Sequence, residues 1–409
     1  MSDSLLKPKA NFGTAPVFMT AISTILGAIL YLRFGYAVAH TGFMGAIAII
    51  IIGHLVTIPT AMAVAEIATN RKVEGGGAYY IISRSFGLNI GAAIGIALFL
   101  SQAISVAFYV IAFTEAFFPF AQFLVESYPI LGDYSTYILD KQLIGIVMMI
   151  LLSILMLTKG ANIGMNLLYY VVAILFASLI MFFMGKPIEG HLISDVDLIS
   201  SVGNPDSFFY VFTIIFPAFT GIAAGLGLSG DLKDPKKSIP KGTLWATAVG
   251  IIVYVAVALK LVLSASLEDL ATDQLIMSRI AIWGPIIPIG LACAAISSAL
   301  GSVMVAPRTL QALGVDEIFP TLTLNTWLSR NKKGTIEPLN ASLVSCVIAF
   351  FFVVIGDINL VAEVIAMFFM VTYGAICLIS LLEHFSADPS YRPTFRSRWY
   401  ISFIGAFLS

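Results

Sequence analysis

Two long apolar runs of this sequence contain small and helix-breaking residues near their middle, where a membrane helix would otherwise keep its backbone fully bonded. The residues are Ser23, Thr24 and Gly27 in the first run and Pro217, Thr220 and Gly221 in the sixth. Gly and Pro are more common in membrane helices than in soluble ones, which offers an ordinary explanation. However, helices interrupted at corresponding positions of two halves point to the binding site of a transporter. We therefore predict a site for a transported solute at these two breaks.

Hydroxyl groups in the eighth apolar run form a second candidate for binding chemistry. Ala294, Ser297 and Ser298 stand at positions i, i+3 and i+4, so they share one face of a helix. A carbonyl and two hydroxyls could converge there on an ion, although serines in membrane helices more often serve packing. Tyr109 in the third run and Tyr373 in the tenth, each taken singly, are also more typical of packing. Taken alone, these residues do not establish an ion site.

Two opposite charges lie inside apolar runs, toward the side of the membrane opposite the N-terminus. Arg33 is six residues before the end of its run at Ala39, and Glu115 is four residues before Pro119. At about 1.5 Å per residue, both lie roughly 6 to 9 Å below their helix ends. Each side chain could reach the headgroups separately, but a charge in a bilayer is usually paired or faces a water-filled path. We hypothesise that Arg33 and Glu115 pair to close an outer gate and separate when it opens.

The composition describes a protein surrounded mainly by lipid rather than water. Of its 409 residues, 59% are hydrophobic and 11% are charged, against about 25% charged in an ordinary soluble domain. The net charge of -1 provides no positive surface, which excludes nucleic acid as a partner. The four histidines are scattered and no nucleophile with a base partner is evident, so the sequence does not favour an enzyme. We expect the lipid bilayer as a partner and no cofactor.

Apolar runs long enough to cross a bilayer recur from residue 16 onwards, which predicts an all-α polytopic membrane protein. The ten predicted spans cover residues 16–39, 43–69, 88–119, 141–159, 162–184, 207–230, 241–264, 281–305, 340–356 and 360–383. An eleventh run begins near Trp399 and is too short to cross. We therefore expect residues 397–409 to be the start of a truncated eleventh helix.

The basic residues predict the orientation of these spans. With the N-terminus inside, 17 of the 22 Lys and Arg residues fall on cytoplasmic segments, 3 fall outside and 2 lie within spans. This asymmetry places the N-terminal segment, residues 1–15, in the cytoplasm. An odd number of crossings reverses the direction of the chain, so a five-helix unit repeated once has inverted topology. We expect residues 16–184 to form the first inverted repeat and residues 207–383 the second.

Several segments together resemble the cation-chloride cotransporter family, of the Na-K-Cl or Na-Cl type, within the superfamily of amino acid and polyamine permeases. The matching segments are GAILYLRFG (27–35), ATNRKVEGGGAYYIISRSFG (68–87), SVAFYVIAFTEAF (105–117), FPAFTGIAAGLGLSGDLKDPKKSIPKGT (216–243) and ISSALGSVMVAPRTLQALGVDEIFP (296–320). The glycine-rich turn is shared with many permeases, whereas SGDLKDP with IPKGT, and the APRTLQAL segment, are specific to this family. The resemblance covers most of the chain, and its short connections look prokaryotic.

The resemblance implies a LeuT-like fold of five plus five inverted helices, with helices 1 and 6 interrupted, and symport of Na+, K+ and Cl- by alternating access. The potassium site that it implies comprises Thr24, Ile25, Tyr109, Pro217 and Thr220. The implied sodium site comprises Ser23, Leu26, Ala294, Ser297 and Ser298. The implied chloride sites comprise Gly27, Ala28 and Ile29, and Gly221, Ile222 and Ala223 with the Tyr373 hydroxyl. Helix physics agrees, because free N–H groups at a half-helix start suit an anion and released carbonyls suit a cation.

Other functions stay open at the level of sequence. An amino acid permease could use the same half-helix ends, but such permeases usually carry a second glycine where Ala28 and Ile29 follow Gly27 here. A channel would need a continuous polar pore, which interrupted inverted helices do not favour. Animal Na-K-Cl members of the family have Asn where this chain has Thr24, so a requirement for potassium is not fixed. We expect an integral protein of a prokaryotic cell membrane, with a homodimer as one open assembly.

Overall fold

The structure is a computed structural model, and nearly all of its regular elements are helices. It describes residues 13–70, 78–159, 165–189, 191, 197–221, 232–331, 337–386 and 391–409. Within these residues, the departures from helix and loop are isolated β-bridge positions, such as the bridge between Asn331 and Pro338. The predicted all-α class is therefore confirmed.

The helices follow one another closely along the chain. Those before residue 222 are α1 (Thr14–Ile25), α2 (Ala28–Leu32), α3 (Phe34–Asn70), α4 (Ala78–Phe86), α5 (Leu88–Ser127), α6 (Ser135–Ile138), α7 (Lys141–Lys159), α8 (Met165–Phe183) and α9 (Phe208–Ile215). Those after residue 231 are α10 (Pro235–Val262), α11 (Leu267–Thr272), α12 (Ile276–Ile280), α13 (Ile286–Val315), α14 (Leu322–Leu328), α15 (Leu339–Ile355), α16 (Ile358–Ser386) and α17 (Trp399–Leu408). Short 3-10 helices follow α5 and α9, at Pro129–Tyr134 and Phe216–Thr220.

Six helical segments in the described part of the chain are long and apolar enough to cross a membrane, and the count is seven if the bent pair Pro129–Ile138 and Lys141–Leu157 is taken as one span. Shorter apolar helices occupy the remaining predicted spans, at Leu168–Phe183, Phe208–Thr220 and Leu339–Ile355. The eighth span begins later than predicted, at Ile286 rather than residue 281, because Pro285 disfavours helix in the residue before it. Most other predicted ends lie within a few residues of the observed ones, but the third and eighth spans end later than predicted, at Ser127 and Val315 rather than at residues 119 and 305. The predicted end of the sixth span lies outside the described residues.

The first span is interrupted where the sequence predicted. α1 ends at Ile25, and α2 begins at Ala28. Between them, Gly27 lies so close to the preceding turn that a side-chain carbon on it would come within 2.7 Å of the Thr24 carbonyl oxygen. Glycine is therefore the residue that permits this break. The first span then continues into α3 and turns at Gly42, whose φ of 68° ends one crossing and starts the next.

The sixth span is also interrupted. α9 gives way at Phe216 to 3-10 geometry through Thr220, where Pro217 has no N–H to continue an α-helix. Gly221 follows and packs directly on α1, because an added Cβ there would lie 2.7 Å from Ile25 Cγ1 and 3.0 Å from the backbone N of Ile25. The two breaks therefore touch each other in the middle of the bundle, enclosed by α3, α5, α10, α13 and α16.

Candidate functional site

A small cavity lies between the two breaks, with walls from α5 and α16. It is lined by all of the residues predicted for potassium, namely Thr24, Ile25, Tyr109, Pro217 and Thr220. It is also lined by the residues predicted for the first chloride site, namely Gly27, Ala28 and Ile29. Because these residues come from three separate segments, the fold brings together groups that the sequence spreads over almost two hundred positions.

The cation side of the cavity consists of hydroxyl and carbonyl oxygens. The Thr24 hydroxyl donates to the Thr20 carbonyl at 3.1 Å, and the Thr220 hydroxyl donates to the Pro217 carbonyl at 2.7 Å. Since each hydroxyl directs its proton to the backbone, its lone pairs stay available to a cation. Tyr109 lines the same space and is partly exposed. This side can therefore offer several hard oxygen atoms and no charged side chain.

The anion side of the cavity consists of backbone amides. At the start of α2, the N–H of Leu30 donates to the Gly27 carbonyl at 3.2 Å, and at its end the N–H of Arg33 donates to the Ile29 carbonyl at 2.9 Å. The amides of Gly27, Ala28 and Ile29 precede these bonds, and no side chain caps α2. Their N–H groups are thus unused within the helix and suit a chloride ion.

The second predicted chloride site is described only in part. Tyr373 of α16 is buried and donates its hydroxyl proton to the Thr220 carbonyl at 2.7 Å, next to Gly221. Ile222 and Ala223, the other predicted members, lie outside the described residues. In this structure the Tyr373 proton therefore serves the break of the sixth span, and a chloride ion would have to compete with Thr220 for it.

The predicted sodium residues lie on α1 and α13, which pack against each other. Ser23, Ala294 and Ser298 are buried, Ser297 is half-buried, and Leu26 directly follows the end of α1. The Ser298 hydroxyl has no hydrogen-bond partner among the described residues, and Tyr109 approaches it without reaching hydrogen-bond geometry. A buried hydroxyl without a partner is unfavourable by about 1–3 kcal/mol, so Ser298 is suited to receive a ligand.

The two charged residues predicted for an outer gate have other partners in this structure. The Arg33 Nε donates to Asn359 Oδ1 at 2.9 Å, and its Nη1 to the Leu32 carbonyl at 3.3 Å. Glu115 Oε2 pairs with Lys141 Nζ at 2.7 Å. Glu115 is near enough to attract Arg33 electrostatically, but the two do not form an ion pair here. The gate pair therefore stays a prediction, and Lys141 is a partner that the sequence analysis did not include.

Two residues of this region were missed by the sequence analysis. Ser105 lines the cavity one helical turn before Tyr109, a spacing of i to i+4 that places both on one face of α5. Tyr254 of α10 is fully buried and donates to the Ile25 carbonyl and, at 2.9 Å, to the Ala218 carbonyl. The spacing to Tyr109 could have identified Ser105, whereas no local pattern marks Tyr254.

Comparisons with known proteins agree with this architecture. The sequence model of the amino acid permease family matches residues 16–404. Solute carrier family 12 member 2 of Mus musculus is 30% identical over 96% of this chain and 36% of its own length. Cation-chloride cotransporter 1 of Oryza sativa subsp. japonica is 32% identical over 97% of this chain and 44% of its own length. The resemblance to cation-chloride cotransporters is thus confirmed, and the chain spans less than half the length of these relatives.

A solved structure shares the fold. The crystal structure of MhsT in complex with L-phenylalanine covers 98% of this chain and 98% of its own, with a TM-score of 0.63 and 14% sequence identity. At this identity the likeness shows the architecture alone. The LeuT-like fold with two interrupted helices is therefore confirmed.

Proposed function

This chain belongs to the amino acid permease family, and we propose that it is a secondary active symporter that couples Na+ and K+ to chloride transport by alternating access. The observation that carries the proposal is the cavity between the breaks, where carbonyl and hydroxyl oxygens face one side and free amides the other. Oxygen atoms suit cations, and unpaired amides suit an anion. The names of the similar cotransporters give the same ion classes.

Each ion is assigned by the chemistry that its site offers. We propose that Thr24, Tyr109 and Thr220, with the carbonyls of Ile25 and Pro217, hold the larger potassium ion. Ser23, Leu26, Ala294, Ser297 and Ser298 would hold the smaller sodium ion between α1 and α13. Chloride would bind at the amides of Gly27, Ala28 and Ile29, and at Gly221 with Tyr373. The ions neutralise each other's charge, so a cavity without charged side chains can hold them together.

The orientation and the repeats also belong to this proposal. The 17 to 3 excess of basic residues supports a cytoplasmic N-terminus in a prokaryotic cell membrane. Residues 16–184 and 207–383 would then be the two inverted repeats. In this arrangement the break of α1 and the break after α9 occupy corresponding positions, as a site at the repeat interface requires.

Tracer uptake into proteoliposomes tests the proposal. We expect chloride uptake to be driven by an inward sodium gradient, to rise when potassium is added outside, and to be undiminished when the membrane potential is clamped. We expect that none of a panel of amino acids is taken up and that none of them inhibits chloride uptake. Uptake of an amino acid that does not depend on chloride would contradict the proposal and favour an amino acid permease. Full sodium-driven chloride uptake without potassium would show that the protein transports sodium and chloride only.

A further inference from the structure

Glu66 is a completely buried carboxylate near the end of α3 that is predicted to face the cytoplasm. Its Oε2 accepts hydrogen bonds from the Ser380 hydroxyl at 3.1 Å, from the main-chain N–H of Ser397 at 3.2 Å and from the Ser397 hydroxyl. Ser402, on α17, lies 2.8 Å from the Ser380 hydroxyl. One buried carboxylate thus joins α3 to α16, to the segment that leads to α17, and to α17 itself.

His384 lies next to this carboxylate, with its ring between two main-chain carbonyl groups. Its Nδ1 is 2.7 Å from the carbonyl oxygen of Ser380, and its Nε2 is 2.8 Å from the carbonyl oxygen of Ser397. Carbonyl oxygens only accept hydrogen bonds, so each ring nitrogen must carry a hydrogen for both contacts to be favourable. A neutral imidazole carries one such hydrogen and an imidazolium carries two. The contacts therefore specify the positively charged ring.

The positive ring has a counter-charge at hand. Its Nδ1 lies 3.7 Å from Glu66 Oε1, an atom that has no hydrogen-bond partner in the described part of the chain. Only 9% of the His384 side chain is exposed, so both charges are shielded from water. A buried carboxylate is unfavourable unless a positive charge or hydrogen bonds compensate it. The pair therefore depends on the second proton of His384.

Three other titratable or charged side chains lie around the pair. Tyr391 faces Glu66 from the segment before α17, with Glu383 of α16 and Arg396 nearby. Burial, followed by the repulsion of Glu66 and Glu383, raises the pKa of Tyr391 well above its ordinary value, so its phenol stays neutral. Arg396 acts on the same phenol in the opposite direction, through its positive charge. Among these side chains, His384 is the one whose contacts require a second proton on its ring.

We propose that Glu66 and His384 form a proton-binding site, whose ligand is one proton taken from water on the predicted cytoplasmic side, and that this proton holds residues 391–398 and α17 against α3 and α16. Without it, a ring nitrogen lone pair would face a carbonyl oxygen at less than 3 Å, and Glu66 would lose its counter-charge. The attachment of α17 is therefore strongest where the ring is doubly protonated and weakens as the pH rises. The site shares no residue with the cavity at the helix breaks and does not rest on the function proposed above.

Nitrogen NMR of the histidine rings tests the protonation state directly. The chain has four histidines, so 15N-histidine labelling of the full chain in lipid nanodiscs gives four ring systems, and His384→Gln identifies one of them. We expect both ring nitrogens of His384 to carry hydrogen at neutral pH. His191→Gln is the matched control and should leave the His384 signals unchanged. A neutral His384 ring at neutral pH in the unsubstituted protein would overturn the proposal.

Hydrogen exchange tests the consequence in the unsubstituted protein, so that it does not depend on a variant that fails to fold. After correction for the intrinsic effect of pH, exchange at residues 391–398 and in α17 should rise by about tenfold as the His384 signal titrates. The amides of α15 should not respond. Glu66→Gln should lower the pH at which the His384 ring loses its second proton. Titration of His384 without any change in exchange at α17 would contradict the structural role of the proton.

Discussion

The hydroxyl of Tyr254 lies 2.9 Å from the carbonyl oxygen of Ala218, on the sixth span, and also donates to the carbonyl of Ile25, on the first. A phenol has one proton, so it can satisfy only one of these acceptors fully at a time. The ring is held in place by Phe34, which stacks on it with centroids 4.9 Å apart. Tyr254 therefore connects the two breaks through their free carbonyls and positions oxygen atoms that line the cavity.

Tyr254→Phe is expected to reduce chloride uptake by about tenfold while the protein stays folded. The substitution keeps the stacked ring and removes the hydroxyl, whose loss should cost about 0.5–1.5 kcal/mol of stability. The larger effect falls on transport, because the carbonyls of Ile25 and Ala218 lose their shared donor. Uptake in proteoliposomes and thermal unfolding of the purified protein measure the two effects. Tyr170→Phe, at an exposed position, is the control, and equal uptake in both variants would show that Tyr254 only packs.

The contact between the two breaks predicts a strong effect of Gly221→Ala. The added methyl group would meet Ile25 Cγ1 at 2.7 Å and the Ala21 carbonyl oxygen at 3.0 Å, so the spans must move apart. Overpacking of this kind costs about 1–3 kcal/mol. We expect a lower unfolding temperature and loss of chloride uptake. Gly301→Ala is the matched control, because an added carbon there meets nothing within 4 Å, and equal melting of the two variants would contradict the close contact.

The parts of the fold that the sequence could predict are those decided by local composition. Membrane spans follow from apolar runs, and the breaks follow from residues such as Gly27 and Pro217, which act on their own turn of helix. The positions of the breaks in the first and sixth spans were confirmed for this reason. The beginning of α13 was displaced because Pro285 acts on the residue before it, a local effect that the apolar pattern alone does not show.

The parts that the sequence could not predict depend on contacts between distant segments. Tyr254 and Ile25 are 229 positions apart, and Glu66 and Ser397 are 331 positions apart. Such pairs follow from how helices pack rather than from any spacing along one helix. The charged residue Glu115 shows the same limit, because Lys141 reaches it from the start of the next span. Depth in the membrane could be predicted from sequence, but the choice among partners at that depth could not.

Sodium dependence is expected to rest on Ser298. Its buried hydroxyl has no partner among the described residues, so Ser298→Ala should leave stability unchanged or slightly raised. If the hydroxyl binds sodium, the sodium concentration for half-maximal chloride uptake should rise by about tenfold or more. Ser302→Ala, one turn further along α13 and also buried, is the control. An unchanged sodium dependence in Ser298→Ala would remove this residue from the site.

Potassium dependence is expected to rest in part on Tyr109. Tyr109→Phe removes one oxygen from the cavity and keeps the ring, which packs edge-on against Phe108 at 5.7 Å. Rubidium serves as a tracer for potassium, and its uptake should fall by about tenfold. This is the change expected when a bound ion loses one oxygen ligand. Sodium-driven chloride uptake without potassium should change less. Rubidium uptake equal to that of the unsubstituted protein would instead indicate an ordinary packing tyrosine.

The charged residues on the predicted outer side give a prediction in which two substitutions shift the opening of the outer path in opposite directions. Glu115 now pairs with Lys141 at 2.7 Å, while Arg33 bonds to Asn359. If Arg33 and Glu115 pair when the outer path closes, Lys141 competes for the carboxylate and favours the open path. Lys141→Gln should therefore favour closure. Glu115→Gln should favour opening, because we expect the pair with Arg33 in the closed state to be stronger than the pair with Lys141. A pair of this kind contributes about 0.2–1 kcal/mol, so each shift should be about 1.4-fold to fivefold.

The shifts can be measured with a cysteine at the cavity wall, Ile365→Cys, in a background without the native cysteines. A thiol reagent that cannot cross the membrane labels it from outside only when the outer path is open. We expect slower labelling with Lys141→Gln and faster labelling with Glu115→Gln, while Lys186→Gln, another lysine on the predicted outer side, leaves the rate unchanged. Reversal of both charges, with Arg33→Glu and Glu115→Arg in one protein, should bring the labelling rate part of the way back from that of either single substitution to that of the unsubstituted pair. Faster labelling with Lys141→Gln would rule out competition by Lys141 at Glu115. Slower labelling with Glu115→Gln would rule out a closed-state pair with Arg33 that is stronger than the pair with Lys141.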